Sequence, residues 1–263
     1  MTEAPYTIET LRRGLNILTL FSRDIPDLSL TEISELTGVN LTTTYRMAST
    51  LEQAGYLERD PDNKRYRPGL RVLQLGFAAL SSLDLRMIAR PYLRQLSEKT
   101  GETVSEAVLE GLEIIYVDRI RNRQIVGVVL GVGSRLPAHC TSMGKAMLAF
   151  LPPKELRARL RGAKLDSCTR RTLVDREGLR KDLDRVRSRG YATNHQELAM
   201  GLRAVAVPIW DEENQVAGAI NITGSTESIS RRRLKSELAP LLVQTAANIS
   251  QALGHQSEAE AVS

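Results

Sequence analysis

The chain has 263 residues, 42% of them apolar and 25% charged, and a formal net charge of +5. That length exceeds one small domain and suits a pair, one of roughly 70–80 and one of roughly 170–180 residues. No run of about 18 apolar residues exists, which excludes a membrane-spanning helix and a membrane partner. Cys140 and Cys168 stand without a Cys-x-x-Cys or His-rich cluster, which argues against a disulfide framework and a metal site.

The polar start Met1–Pro5 lacks a basic-then-apolar leader, so the expected location is the cytoplasm. Ile8, Leu11, Leu15, Leu18 and Phe21 step by three and four, predicting an amphipathic helix whose apolar stripe covers the core of the helix-turn-helix after it. Ser29-Leu30-Thr31-Glu32 reads as a capping box opening a helix with Ile33 and Leu36 on one face. Gly38-Val39-Asn40 interrupts it, and Asn40 caps a second helix from Leu41 to about Ala54. Two short helices about a glycine turn make a helix-turn-helix. In the second, Leu41, Met47, Ala48, Leu51 and Ala54 are expected inside, with Thr42, Thr43, Tyr45, Arg46, Ser49, Thr50 and Gln53 outside. Hydroxyls, an amide and one arginine can donate to phosphates and reach base edges without repelling a polyanion. Tyr56–Arg59 and Lys64–Arg67, with Asp60-Pro61-Asp62-Asn63 between them, read as a wing. Many small helical domains share this shape without touching DNA, so shape alone leaves both readings open. Residues 1–68 carry eight Lys and Arg against ten Asp and Glu, so any footprint is local, made by Arg46, Lys64, Arg65 and Arg67.

Pro68-Gly69 marks a boundary, and Leu70 to Leu83 reads as a linker helix more apolar than one face can bury. It packs either on a second copy of itself or into a plain core. Asp84 starts another helix, restarted at Pro91 and ended by Thr100-Gly101. Thr103–Leu109, Glu113–Val117, Ile125–Leu130, Ala204–Pro208 and Val216–Thr223 are rich in Val and Ile and read as strands of a largely antiparallel sheet. Helical patterns occupy Met143–Leu151, Lys154–Leu160, Glu177–Arg189 and Arg231–Leu253. The fold class is α+β: a winged helix-turn-helix domain over 1–68, a linker helix over 69–83, a sheet-and-helix domain over 84–255 and a disordered tail over 256–263. Over 91–263 there are 25 Lys and Arg against 20 Asp and Glu, many of the basic residues between Arg157 and Arg189, which reads as a solvated helix face.

His139-Cys140-Thr141-Ser142-Met143-Gly144-Lys145 is the most reactive-looking segment. Ser142-x-x-Lys145 matches the nucleophile motif of penicillin-recognising enzymes, but neither Ser-Asp-Asn nor Lys-Thr-Gly follows. Gly144-Lys145 fails as a phosphate loop, because His139 stands where a glycine is required and Ala146 where a hydroxyl is. His139 and Cys140, being adjacent, point apart and make no dyad. Thr141 and Ser142 cap a helix beginning near Met143, whose amide pole either takes a small carboxylate or is satisfied by those hydroxyls. His195, within Gly190–Glu197, reads as a surface-loop histidine. Asn221 and Thr223 share one face of a strand and need a partner, a ligand or a facing loop.

These motifs together resemble the IclR family of bacterial transcription regulators over nearly the whole chain. The resemblance rests on Leu30–Ile33 through Gly38, Thr42–Arg46, Gly55-Tyr56-Leu57, Thr100–Val104, Leu136–Ala146, and Arg189–Tyr191 through Glu197 to Gly201-Leu202-Arg203. It implies an N-terminal winged helix, a C-terminal GAF-like effector domain, and dimers or dimers of dimers. It further implies operator DNA contacts by Thr42, Thr43, Tyr45, Arg46, Lys64 and Arg65. Leu41 stands where a basic residue is common, so one phosphate contact is missing. A small organic acid would sit at Ser142 and Met143, closed in by Asn194, Ala204, Asn221 and Thr223. A neutral Asn194, where an acid is frequent, suits an anion. The Pro-Ala-His-Cys-Thr-Ser-Met-Gly wording is closest to the branch controlling hydroxybenzoate and β-ketoadipate catabolism. No cofactor and no catalysis are implied. The rivals are a hydrolase built on Ser142 and Lys145, and a ligand-sensing adaptor that does not bind DNA.

Overall fold

A computed structural model describes residues 7–22, 25–81, 84–122 and 130–256, with side chains except at 77–84. The chain forms two compact units, Met1–Ser82 and Leu83–Ser263.

In the first unit, α1 (Glu9–Thr19) precedes the α2 (Leu30–Thr37) and α3 (Leu41–Gln53) pair. The capping box of α2 is formed in both directions, Glu32 N–H donating to Ser29 Oγ at 3.3 Å and Ser29 N–H to Glu32 Oε2 at 2.7 Å. Gly38 ends α2 in the left-handed region at φ 67°, where a Cβ would be strained. Asn40 Oδ1 then accepts from Thr43 N–H at 3.0 Å to open α3. The wing is an antiparallel ladder of β1 (Leu57–Arg59) and β2 (Tyr66–Pro68), Glu58 facing Arg67, and α4 (Leu70–Ser81) comes next. Ile17, Leu28, Ile33, Met47, Ala48, Leu57 and Tyr66 form the core.

Two expectations about which face is buried hold only in part. The stripe of α1 reaches the core at its far end, where Leu18 and Phe21 pack, but Ile8, Leu11 and Leu15 are 68%, 58% and 53% exposed and Ile17 is buried instead. Ile17 lies nine residues, or about two and a half turns, beyond Ile8, on the opposite side of the helix. In α3, Leu41 is exposed and Thr44 replaces it inside, its hydroxyl satisfied by the Val39 and Asn40 carbonyls at 3.2 and 3.1 Å.

The second unit is α+β. After α5 (Asp84–Thr100), with Pro91 inside it, come β3 (Thr103–Glu110), β4 (Glu113–Ile120) and β5 (Arg135–Pro137). A 3-10 turn (Ala138–Cys140), α6 (Ser142–Leu148), α7 (Pro153–Leu160) and α8 (Arg176–Arg189) precede β6 (Ala192–His195), β7 (Leu202–Trp210) and β8 (Val216–Ser225). The chain closes with α9 (Arg231–Arg233), a π-helical turn (Leu234–Leu238) and α10 (Ala239–Ala252). Pro240 lacks the N–H that an unbroken α-ladder needs there. The six strands run β5-β4-β3-β8-β7-β6, antiparallel throughout. One face packs on α6, α7 and α8 through Ala107, Tyr116, Met143, Met147, Leu179, Leu183 and Ala206. The other packs on α5 and α10 through Leu93, Val104, Val205, Ile220, Ile222 and Leu242.

Strand β4 runs three residues past the expected Val117 and carries a bulge: Ala107 faces Tyr116, but Glu106 faces Asp118 and Ser105 faces Arg119. The short strands β5 and β6 add to the expected set, and His195 ends β6 rather than lying in a loop. The strand expected at Ile125–Leu130 and the tail from 256 fall outside the described residues except at Leu130 and Gln256. Among the described residues no helix is long and apolar enough to cross a membrane.

Candidate functional site

On α3, Thr42, Tyr45, Arg46, Thr50 and Gln53 are exposed and Thr43 is half-buried, held by its N–H to the Asn40 cap. Arg46 has no ion pair among the described residues. The helix therefore presents a cation and several hydroxyls to the outside. On the wing, Lys64 is exposed at φ 61° and its ammonium donates to the Pro61 carbonyl. Arg65 is placed differently. Its guanidinium pairs with Asp27 and, at 2.9 Å, with Glu32, tying the wing to the start of α2. Arg67 pairs with Glu58 across the ladder at 3.0 Å.

In the second unit a narrow cavity opens on the α6 face of the sheet. Ser142, Asn194, Ala204, Asn221 and Thr223 all line it. The register explains the convergence of three of them: Asn194 pairs with Ala204 across β6 and β7, and Ala204 with Thr223 across β7 and β8. Met143 does not line it, because one residue further along α6 its side chain is fully buried in the apolar layer. Asn194 is braced at both ends, its amide donating to the Cys140 carbonyl at 2.5 Å and accepting from Glu197 N–H at 3.0 Å. Asn221 donates to Thr223 Oγ1 at 2.9 Å and leaves its own Oδ1 buried without a partner.

Thr141, expected as a cap, also lines the cavity, as do Tyr116 and Arg119, which sequence reasoning missed. Residues three apart on a regular strand face opposite ways, but the bulge returns Tyr116 and Arg119 to one side. The Arg119 guanidinium lies 5.8 Å from the Tyr116 ring centre. Burial lowers the Arg119 pKa below its ordinary value and pushes the Tyr116 phenol up to about 12.

The α6 pole is already used within the protein: Thr141 Oγ1 accepts from Gly144 N–H at 3.1 Å. A Cβ on Gly144 would meet the Ala138 backbone at 2.3 Å, so only glycine lets the helix seat this closely. Lys145 is buried, its ammonium 2.7 Å from Glu197 and 2.9 Å from Asp182. Its ammonium hydrogen-bonds Asp182 and Glu197, whereas a serine-lysine hydrolase needs that amine on the serine hydroxyl. His139 bonds the Asp166 carbonyl at 3.0 Å rather than Cys140. Cys140 and Cys168 are free thiols with sulfurs 3.5 Å apart, and burial, then Cys168, raises the Cys140 pKa. Burial, then Arg203, holds the His195 pKa near 4, so it is neutral at physiological pH. Among the described residues no group of three or more His, Cys, Asp or Glu is placed to hold a metal ion.

The model of the IclR helix-turn-helix domain matches residues 10–61, and that of the bacterial transcriptional regulator IclR C-terminal domain matches residues 77–251. The chain belongs to the IclR family. It is 34% identical over 248 residues to the HTH-type transcriptional regulator XynR of Escherichia coli K12, covering 94% of this chain and 98% of that one. It is 37% identical over 243 residues to the Pca regulon regulatory protein of Pseudomonas putida, covering 92% and 83%. The crystal structure of the Thermotoga maritima IclR superposes with a TM-score of 0.73 at 30% identity, covering 95% and 100%. The protein is an IclR-type DNA-binding transcriptional regulator, with the exposed α3 face in one matched domain and the cavity in the other.

Proposed function

We propose that this IclR-family regulator docks α3 in the major groove of a partly palindromic operator and that a small organic acid in the cavity biases that docking. The observation that carries the reading is the pairing, in one chain, of an outward hydroxyl-and-arginine face on α3 with a small cavity of about 20 Å³ in the second unit, lined by polar and apolar side chains, which must widen to admit an acid. Thr42, Thr43, Tyr45 and Arg46 read or grip the duplex, and Lys64 holds a phosphate. Arg65, already paired with Asp27 and Glu32, takes a phosphate only by giving up those carboxylates. Ser142, Asn194, Ala204, Asn221 and Thr223 surround the effector, with Met143 shaping the wall from behind.

Self-association is part of the proposal. Leu70, Leu73 and Leu75 on α4 are all more than half exposed, and they join the open leucines of α1 as apolar surface that a second copy would cover. The effector must then bind two arrangements of the dimer unequally if it is to switch anything. An aromatic or β-keto acid is the proposed class, supported by the 37% identity to the Pca regulon regulatory protein. The cytoplasm is the proposed location.

The test is a gel shift at fixed salt on the chain's own upstream DNA. R46A is expected to weaken binding by about 10-fold or more, the scale of one lost base or phosphate contact. Unchanged affinity removes α3 from the interface.

A further inference from the structure

The polar groups around the cavity do not balance. Asn194 and Thr141 bond within the protein, but Asn221 Oδ1, Ser105 Oγ and Arg119 Nε are buried without hydrogen-bond partners. These three stand in one row across adjacent strands: Asn221 on β8 faces Ser105 on β3, which faces Arg119 on β4. Directly opposed residues of antiparallel strands project to the same side, so the row forms one polar strip on the cavity side of the sheet; Asn221 and Arg119 line the cavity, and Ser105 lies between them without lining it. Asn221 and Ser105 are 4% and 1% exposed. Buried polar groups are ordinarily satisfied, and three unsatisfied in a row mark a place that a bound molecule completes.

The strip is also positive. Arg119 has no carboxylate partner among the described residues, and no nearby acid is free to take it: Glu106, which faces Asp118 in register, is buried on the other face of β3. Asp118 lies on the other face with Arg90 at 2.8 Å, and Glu197 is held by Lys145. A cationic ligand would meet a desolvated guanidinium, whereas a carboxylate would meet a planar fork of donors. At the pole of α6, Gly144 N–H is already bonded to Thr141 Oγ1.

We infer that Arg119, backed by Ser105, anchors the carboxylate of the effector, and that the site is selective for small carboxylates over their neutral counterparts. The inference rests on the cavity being the effector site. It places the charged contact on β4 rather than at the start of α6.

Calorimetric titration of the full chain tests it, using 4-hydroxybenzoate, 3,4-dihydroxybenzoate, β-ketoadipate and pyruvate, and then the primary amide of whichever acid binds best. The wild type is expected to bind the acid about 10-fold or more tighter than the amide. R119Q is expected to remove that preference, weakening the acid at least about 10-fold and the amide about 2-fold or less; R119K, which keeps charge without the fork, falls between. A merely structural role would weaken both ligands alike. Acid and amide binding equally, or no acid binding at all, overturns the inference in the wild type alone, whether or not R119Q folds. If N221A weakens the acid while R119Q and R119K do not, Arg119 is not the anchor but the cavity stands. If none of the three changes the affinity, the cavity assignment falls as well.

Discussion

At Glu106 the two faces of β3 diverge. Its neighbour Ser105 belongs to the polar strip, while Glu106 pairs in register with Asp118, whose carboxylate turns to Arg90 of α5. Glu106 is fully buried, and neither carboxyl oxygen has a hydrogen-bond partner. Burial, and then the Asp118 charge, raise its pKa to about 8, with Arg86 acting the other way. An unfolded glutamate has already lost its proton near pH 4.5, whereas the folded one keeps it until about 8. Unfolding in that window releases a proton, so stability falls as pH rises through it and levels off above. E106Q removes the titration. It is expected to melt about 5 °C or more above the wild type at pH 8.5, since each pH unit of the window carries about 1.4 kcal/mol, with the gap closing toward pH 5. Scanning calorimetry at the two pH values decides, and a gap independent of pH would mean that Glu106 keeps its charge.

Among the elements, the wing puts two adjacent cations in unlike settings. Lys64 is open, whereas Arg65 is held by Asp27 and Glu32. A cation that displaces counterions from DNA contributes about 0.9 to the slope of log affinity against log salt. K64A is therefore expected to reduce that slope by about 1. R65A should reduce it by clearly less, because that charge is already neutralised. Equal losses in a salt-series titration would show that Arg65 leaves its carboxylates on binding. Elements with their own local signals are legible in the sequence. The Ser29–Glu32 box, the Asn40 cap and the Gly38 stop fix α2 and α3, and Val- and Ile-rich runs mark β3, β4, β7 and β8. The features that escape depend on tertiary context. Strands β5 and β6 have three and four residues, too few for alternation to show. The bulge in β4 breaks the two-residue period where it brings Tyr116 and Arg119 to one side, so five cavity residues are legible from motifs and the cationic one is not. Leu41 and Thr44 exchange places because the first turn of α3 is set by its cap, whose carbonyls satisfy the Thr44 hydroxyl.

For the whole molecule, the stripe that sequence periodicity assigns to the core packs there at Leu18 and Phe21 but is left open over the earlier turns of α1. A helix with Ile8, Leu11 and Leu15 exposed, beside Ile17 buried, has two apolar sides, and only one of them serves its own unit. The proposed dimer gives the other side its use, since two-fold pairing of DNA-binding units sets the spacing of the half-sites they read. Because Leu11 and Leu15 lie outside the core of the first unit, acidic replacements there disturb association without emptying that core. The double variant L11E/L15E is expected to keep the wild-type circular dichroism and melting of its helices, to sediment as a monomer where the wild type is a dimer, and to lose preference for a palindrome over a single half-site. A variant that still sediments as a dimer would place the interface elsewhere. If instead it is monomeric yet retains that preference, the two half-sites are not read by a preformed pair, and an effector acting through the dimer would have nothing to bias.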